Sequence, residues 1–308
     1  MNPSWRAFVG VVAATALSCA CVPGRDSADV QATKPDRQLP LGGDPERYCG
    51  MAPPGLEPVV FAPGIVSMPD TLEFGIAFSP DASELWFTRR IGEDDQNLYT
   101  TRFEGGAWTV AEKVGFTDGY NASLPCASPD GATLYFNWKH PAPPGERGKG
   151  FIWAVDRVDG GWSEPRFVGE GMAVAMASDG TAYFTDLVRR NIATVAIDNG
   201  RFGAKTSQGG GVETVVSRYG EAAHPAIMPD GSCLAFDVDW ERIFACLRQA
   251  DGSWGPPADL ADVGIPAGTG SAAFSPDGKY FFYRYDDDIW WVDARLVLGT
   301  AGDAGQVP

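Results

Sequence analysis

The chain has 308 residues and a formal net charge of −16, with 38 Gly, 24 Pro, six Cys and only two His. That acidity, with no stripe of Lys and Arg, argues against nucleic acid or anionic lipid headgroups as the main partner. Two histidines leave few routes to a Ser-His-Asp triad, while Gly and Pro spread between short aromatic runs suit an all-β domain with many turns.

Residues 1–20 read as an export signal. Arg6 supplies a short positive start, and residues 7–17 form an apolar run too short to span a bilayer. The segment Ala16-Leu17-Ser18-Cys19-Ala20-Cys21 that follows resembles a bacterial lipoprotein signal, in which small residues precede a Cys that becomes diacylated. Cys19 and Cys21 are both candidates for lipidation, and ordinary cleavage after Ala20 is the alternative. Either outcome exports the protein. With no Asp after either Cys, the resemblance implies the periplasmic face of the outer membrane. Membrane contact is then through the N-terminal lipid anchor alone, or absent in a free periplasmic or secreted protein. Residues 21–56, rich in Pro, Gly, Asp and Arg without a period, read as a flexible tether.

From residue 57 the chain repeats. Asp81, Asp130, Asp179, Asp230 and Asp277 follow one another at steps of 49, 49, 51 and 47 residues, each in a Ser-Pro-Asp-Gly-like turn. In such a turn Pro pre-sets φ at the second position and Gly is favoured at the fourth. A β-prone aromatic run comes after each turn, then a polar loop and another strand-like run. In repeats one, two and four a Gly-Trp segment begins a fourth strand, and repeat three has Phe202 in place of the Trp. A period in the forties built from short strands predicts a β-propeller. The fifth repeat lacks its fourth strand, and residues 57–66 have that grammar without a repeat of their own. The expected fold is therefore all-β: a five-bladed β-propeller over 57–295, closed by an N-terminal strand completing the C-terminal blade, with 296–308 a disordered tail. Closure spares the last blade an exposed sheet edge.

The repeats resemble the WD40-like repeats of TolB-type propellers. The residues that carry this are Phe78-Ser79-Pro80-Asp81 with Leu85-Trp86-Phe87, Ser128-Pro129-Asp130-Gly131 with Leu134-Tyr135-Phe136, and Ser275-Pro276-Asp277-Gly278 before Asp288-Ile289-Trp290. Ala82 departs from the usual Gly and Ser178 from the usual Pro. The resemblance implies a rigid exported platform, usually for protein contacts.

Export to an oxidising compartment makes Cys49, Cys126, Cys233 and Cys246 candidates for pairing. A hairpin centred between Asp239 and Trp240 would set Cys233 opposite Cys246, and Cys49–Cys126 would tie the tether to the second repeat.

In the family's topology, the loops entering each first strand and those joining strands two and three share one face with an axial mouth. Glu73, Asn121, Glu170, Glu221 and His224 fall there on the first set of loops, and Asp237 and Arg242 on the second. Glu221, His224 and Arg242 around the fourth repeat form the expected binding cluster. The plainer reading is a solvated Glu221 and a satisfied His224 before Pro225. Trp138 and Trp240 are candidates for stacking on a sugar or peptide. Asp237-x-Asp239-x-Glu241 and Asp286–Asp288 could hold a structural Ca²⁺, although the first lacks the Gly of an EF-hand loop; no other cofactor and no catalytic residue is expected. The expected role is a monomeric, non-catalytic binding platform in the cell envelope, its partner an envelope protein or a glycan. The alternative is a glycan-active hydrolase or carbohydrate-binding propeller, because Glu73, Glu170 and Glu221 could supply the two carboxylates that glycoside hydrolysis needs.

Overall fold

The computed structural model describes residues 42–304; the signal, Cys19 and Cys21 and most of the tether lie outside the described residues. Five antiparallel sheets form the five blades of a propeller. Their inner strands are Leu72–Phe78, Ala122–Ala127, Met172–Met176, Ala222–Ile227 and Gly270–Phe274 in blades 1 to 5. The second strands are Glu84–Ile91, Thr133–Trp138, Ala182–Asp186, Cys233–Val238 and Tyr280–Tyr285. Blade 5 takes its outer strand from the N-terminal side, as expected: Val59 pairs with Trp291 and Val60 with Trp290.

The repeated turn has a local cause. In blade 1 the Ser79 hydroxyl donates to Asp81 Oδ1 (2.7 Å) and accepts from the Glu84 N–H (2.9 Å), while the Ser83 N–H donates to the same Asp81 oxygen (3.1 Å). Ser128 with Asp130, and Ser275 with Asp277, repeat this arrangement. Each Ser-x-Asp thus satisfies the backbone groups that the reversal would orphan. Side-chain alternation along each strand then sends residues to opposite faces of the blade. Leu85 and Phe87 pack against blade 5, whereas Trp86 between them packs against Leu134 and Phe136 of blade 2. Five apolar clusters result, one between each pair of neighbouring blades.

Every inner strand breaks register once, and the break carries a left-handed residue: Gly75 (φ 56°), Leu124 (56°), Ala173 (52°), His224 (47°) and Ser271 (52°). Four of these N–H groups are caught by the second strand of the preceding blade. Thr88 Oγ1 accepts from Leu124, Asn137 Oδ1 from Ala173, Thr185 Oγ1 from His224 and Asp237 Oδ2 from Ser271, at 2.8–3.0 Å. At the seam, Arg284 occupies the equivalent position and has no acceptor to offer. There the Glu73 N–H donates to the Asp287 carbonyl instead (2.9 Å).

Four expectations are corrected. Part of the tether is packed: Tyr48, Cys49 and Met51 are buried at the seam, and the Tyr48 hydroxyl donates to Asp277 (3.0 Å). The segment expected as a disordered tail contains the helix Arg295–Ala304, whose Val297 and Ala301 cover the interface of blades 4 and 5. Among the described residues, all four cysteines are free thiols. Cys233 faces Leu247 and Cys246 faces Leu234, because the hairpin between Val238 and Arg242 has three loop residues. An odd loop shifts the register by one and turns the two thiols to opposite faces. Cys233 lies between blades 4 and 5, Cys246 between blades 3 and 4. Cys49 belongs to the seam and Cys126 to the interface of blades 2 and 3, so they too are apart.

Two measurements check this packing. The protein of residues 22–308, without reductant, should show Cys49, Cys126, Cys233 and Cys246 as thiols that react only after denaturation, since burial raises Cys126, Cys233 and Cys246 to about 12; a non-reactive pair in denaturant would show a bridge. Phe61, fully buried against Phe78, Phe282 and Trp291, should cost about 3–5 kcal/mol on Phe61→Ala. Hydrogen exchange should then rise in Asp288–Asp293, more than 200 residues away in sequence.

Candidate functional site: the axial channel

An axial channel of about 190 Å³ runs between the five inner strands. At one end it is framed by the turn residues Pro80, Pro129, Ser178, Pro229 and Pro276, and at the other by the left-handed bulge residues. Ala77, Ala175, Ala226 and Ala273 recur along its wall, and Ser128, Ser178, Ser271 and Ser275 add polar groups to it.

The open end is opposite to the one expected. The strand-one turns and the strand two–three loops lie at opposite ends of an antiparallel blade, and the channel mouth is at the turns. The other end is capped by Phe74, Leu124 and Ala173 packed with Leu72, Met172 and Trp240. Trp240 meets Phe74 edge-on at 5.6 Å and lies 4.2 Å from the His224 ring.

The expected cluster of Glu221, His224 and Arg242 is not brought together. Glu221 is exposed and pairs with Arg190 (2.5 Å); Arg242 pairs with Asp259 on the outer strand of blade 4 (3.0 Å). His224 is 2 % exposed, and its Nδ1 lies 2.8 Å from Asp237 Oδ2, itself on a side chain 1 % exposed. An ionised carboxylate only accepts, so His224 Nδ1 is the donor in this bond. Neither Nε2 nor Asp237 Oδ1 has a partner among the described residues. Sequence reasoning found both members but not the pair. The bulge at His224 and the Asp237 bond to Ser271 of the next blade bring them together, and neither shows in the repeat pattern.

Glu73 is fully buried at the seam, not at a mouth. Its Oε1 accepts from Thr71 (2.6 Å) and Arg89 (2.7 Å), and Arg89 also donates to the carbonyls of Ile65 and Val66. Burial pushes the Glu73 carboxyl up to about 7 against the opposing pull of Thr71 and Arg89, with Asp288 adding repulsion. Asn121 is half-buried, its carbonyl accepting from the Lys139 N–H (2.9 Å). Glu170 lies on an outer strand of blade 2, its carbonyl holding Lys205 (2.8 Å). Glu73, Glu170 and Glu221 therefore belong to three separate places. Trp138 is stacked by His140 at 4.4 Å, with Tyr120 edge-on to both. No group of three or more His, Cys, Asp or Glu that could hold a metal comes together among the described residues.

The fold and this site define a five-bladed propeller with a channel open at one end. No family model matches the sequence, and no curated protein sequence does. Among solved structures, the chain is similar to TolB from Acinetobacter baumannii (15 % identity, TM-score 0.45, covering 71 % of this chain and 53 % of that one). It spans about half the length of that protein. It is also similar to a putative TolB from Agrobacterium tumefaciens (21 %, TM-score 0.45, 73 % and 78 %). A periplasmic gluconolactonase from Pseudomonas aeruginosa is a third (16 %, TM-score 0.42, 68 % and 64 %). The five blades are established by this chain's own sheets.

The Glu73 carboxyl makes a signed prediction. Its folded pKa of about 7 lies above the model-peptide value of 4.5, so its contribution to stability is full below 4.5 and lost as pH rises through about 7. Glu73→Gln removes that titration. The melting temperature of the variant relative to the parent should therefore climb between pH 4.5 and 7.5; a constant difference would show that Glu73 does not titrate there.

Proposed function

We propose that this protein is an exported, monomeric, non-catalytic platform that binds a protein partner in the bacterial cell envelope, held at the membrane by its N-terminal lipid. One observation carries the reading. The channel presents a wall of small residues, mixed in polarity, behind a rim of five turns, while Glu73 and Glu221 are each already paired with an arginine. A rim fixed by its own hydrogen bonds binds without an ordering cost, which is what a recognition surface needs. The export signal and the lipoprotein-like cysteines support the location. Among the described residues, no helix is long and apolar enough to cross a membrane.

The glycan reading keeps one favourable observation, the exposed Tyr120 beside Trp138 and His140. Rings of this kind can stack on a sugar without any hydrolysis.

Ser178 is exposed at the channel mouth and its side chain makes no hydrogen bond, so Ser178→Arg fills the mouth without touching the core. A capture experiment from detergent-solubilised envelope should retain one protein on the parent and lose it on this variant. Retention by both places the partner elsewhere on the propeller. Capture by neither, with release of sugar from envelope glycans, would favour the hydrolase.

A further inference from the structure

We propose that the channel mouth takes an arginine side chain of the bound protein, its guanidinium entering between the five inner strands behind a ring of aspartates. The proposal rests on the mouth being the platform's recognition surface and names the group that surface selects.

Each inner strand stands at the end of its sheet, so one edge is unpaired and faces the channel. Pairing with the second strand alternates along it. In blade 1 the Ser79 N–H donates to the Glu84 carbonyl and Ala77 faces Trp86. Phe78 between them therefore turns its N–H and C=O the other way, toward the axis. Ala127, Met176, Ile227 and Phe274 hold the same place in blades 2 to 5, and all five residues line the channel. Cys126 Sγ lies against the Ala127 carbonyl (3.6 Å), and no side chain among the described residues reaches the other four carbonyls. One level deeper, Pro125 and Pro225 have no N–H, which leaves carbonyls in excess there. Ser271, 4 % exposed, lines the inner end with a hydroxyl that has no hydrogen-bond partner among the described residues. A channel that is polar along its length and rich in acceptors suits a donor-only cation.

The mouth supplies the charge. Each rim residue is followed by an exposed aspartate: Asp81, Asp130, Asp179, Asp230 and Asp277. Neighbouring turns touch. The Ser178 N–H donates to the Pro229 carbonyl (2.7 Å), and a Cβ on Gly131 would meet Pro80 Cδ at 2.9 Å. The carboxylates thus form one ring just outside the rim. Turn hydrogen bonds from Ser79, Ser128 and Thr181 hold Asp81, Asp130 and Asp179 below the usual carboxylate range. In Asp81, Asp130 and Asp230 every hydrogen bond goes to Oδ1, which leaves Oδ2 open. Two cations stand nearby: Lys279 pairs with Asp277 (3.2 Å), and Arg248 lies beside Asp179 and Gly231. Two against five leaves the mouth anionic, and its field draws a cation to the opening.

Depth and shape select the guanidinium. Phe78 and its four counterparts lie two residues inside the rim, about 7 Å at roughly 3.3 Å per residue. An arginine side chain whose backbone rests on the rim spans that depth. Its planar head shares five N–H donors among several carbonyls, where an ammonium has three.

The test uses the protein of residues 22–308 and three blocked tripeptides with glycine on either side of arginine, lysine or citrulline. Binding is read from backbone amide resonances. The arginine peptide should shift Gly131 and Gly231 at the mouth and Phe78 within the channel, and leave Gly92 and Gly119 at the other end unmoved. The lysine peptide should bind several-fold more weakly, and citrulline, equal in shape but uncharged, at least tenfold more weakly. A triple variant, Asp81→Asn, Asp130→Asn and Asp230→Asn, keeps each Oδ1 acceptor and so each turn; it should weaken the arginine peptide about tenfold. The control Glu93→Gln, Asp94→Asn and Asp118→Asn removes as much charge from the loop face and should change binding less than about twofold. The proposal is overturned if no mouth or channel amide moves in the parent, a result that needs no variant to fold. Equal binding of the lysine or citrulline peptide, or an equal loss in the two triple variants, overturns it too. Capture of a partner lost on Ser178→Arg, together with no arginine-peptide binding, removes the arginine site and leaves the platform standing. Peptide binding at these amides without any captured partner keeps the site and removes the platform.

Discussion

The contact on which the rest of the structure depends is the seam between blades 5 and 1. Each blade has two apolar faces and neither is covered until both neighbours are present, so the five interfaces form a closed cycle. Four are joined by continuous chain. The fifth must be made by two segments far apart in sequence, with a loop-closure cost paid once for the whole ring. Its cluster is correspondingly rich: Tyr48, Phe61 and Val66 from the N-terminal side join Phe282 and Trp291 from the C-terminal blade. Main-chain bonds hold it as well, with the Phe61 N–H donating to the Ile289 carbonyl (2.8 Å) and the Asp293 N–H to that of Gly55 (3.0 Å).

The same seam explains why one position differs from its four counterparts. Between the other blades a side-chain acceptor on the second strand holds the bulge of the next inner strand. Arg284 cannot do so, and the buried Glu73–Arg89 pair stands nearby, reaching the carbonyls of Ile65 and Val66. Glu73 is thus part of the closure, which is why a carboxylate placed near a mouth by counting residues is unavailable for chemistry. A buried pair of this kind does little for net stability unless its other bonds are satisfied; here Thr71 and the two carbonyls satisfy some of them, while Glu73 Oε2 has no partner among the described residues.

The bulges also shape the channel. Left-handed backbone at five equivalent positions interrupts each inner strand at the same height. It brings Leu124, Ala173, His224 and Ser271 around the gap left by Gly75, and the apolar cap with Trp240 seals the passage beyond them. Trp240 is itself left-handed (φ 59°), an uncommon state for a bulky residue, and its turn is held over the channel by contacts with Phe74 and His224. One wall of the propeller therefore closes the channel on the loop face and leaves it open on the turn face.

What the sequence by itself determined is the part of the fold that repeats locally. The Ser-Pro-Asp turns, the aromatic second strands and the unmatched run before residue 66 have causes within a few residues of each other, so five blades and their closure were legible. What only the tertiary structure decided depends on register and on contacts between blades. A single extra loop residue at Asp239–Glu241 turned Cys233 and Cys246 to opposite faces. The helix Gly211–Tyr219 was hidden behind a run of glycines that reads as a flexible loop; there a Cβ on Gly211 would lie 2.0 Å from the Gly255 carbonyl oxygen, so close approach and not flexibility requires the glycine. His224 and Asp237 were each visible, but their pairing needed a bulge that shifts the inner strand by one residue, and the open end of the channel was set by which side chains meet across five blades. Turns obey short-range hydrogen bonding; sites between blades obey packing, which no repeat period records.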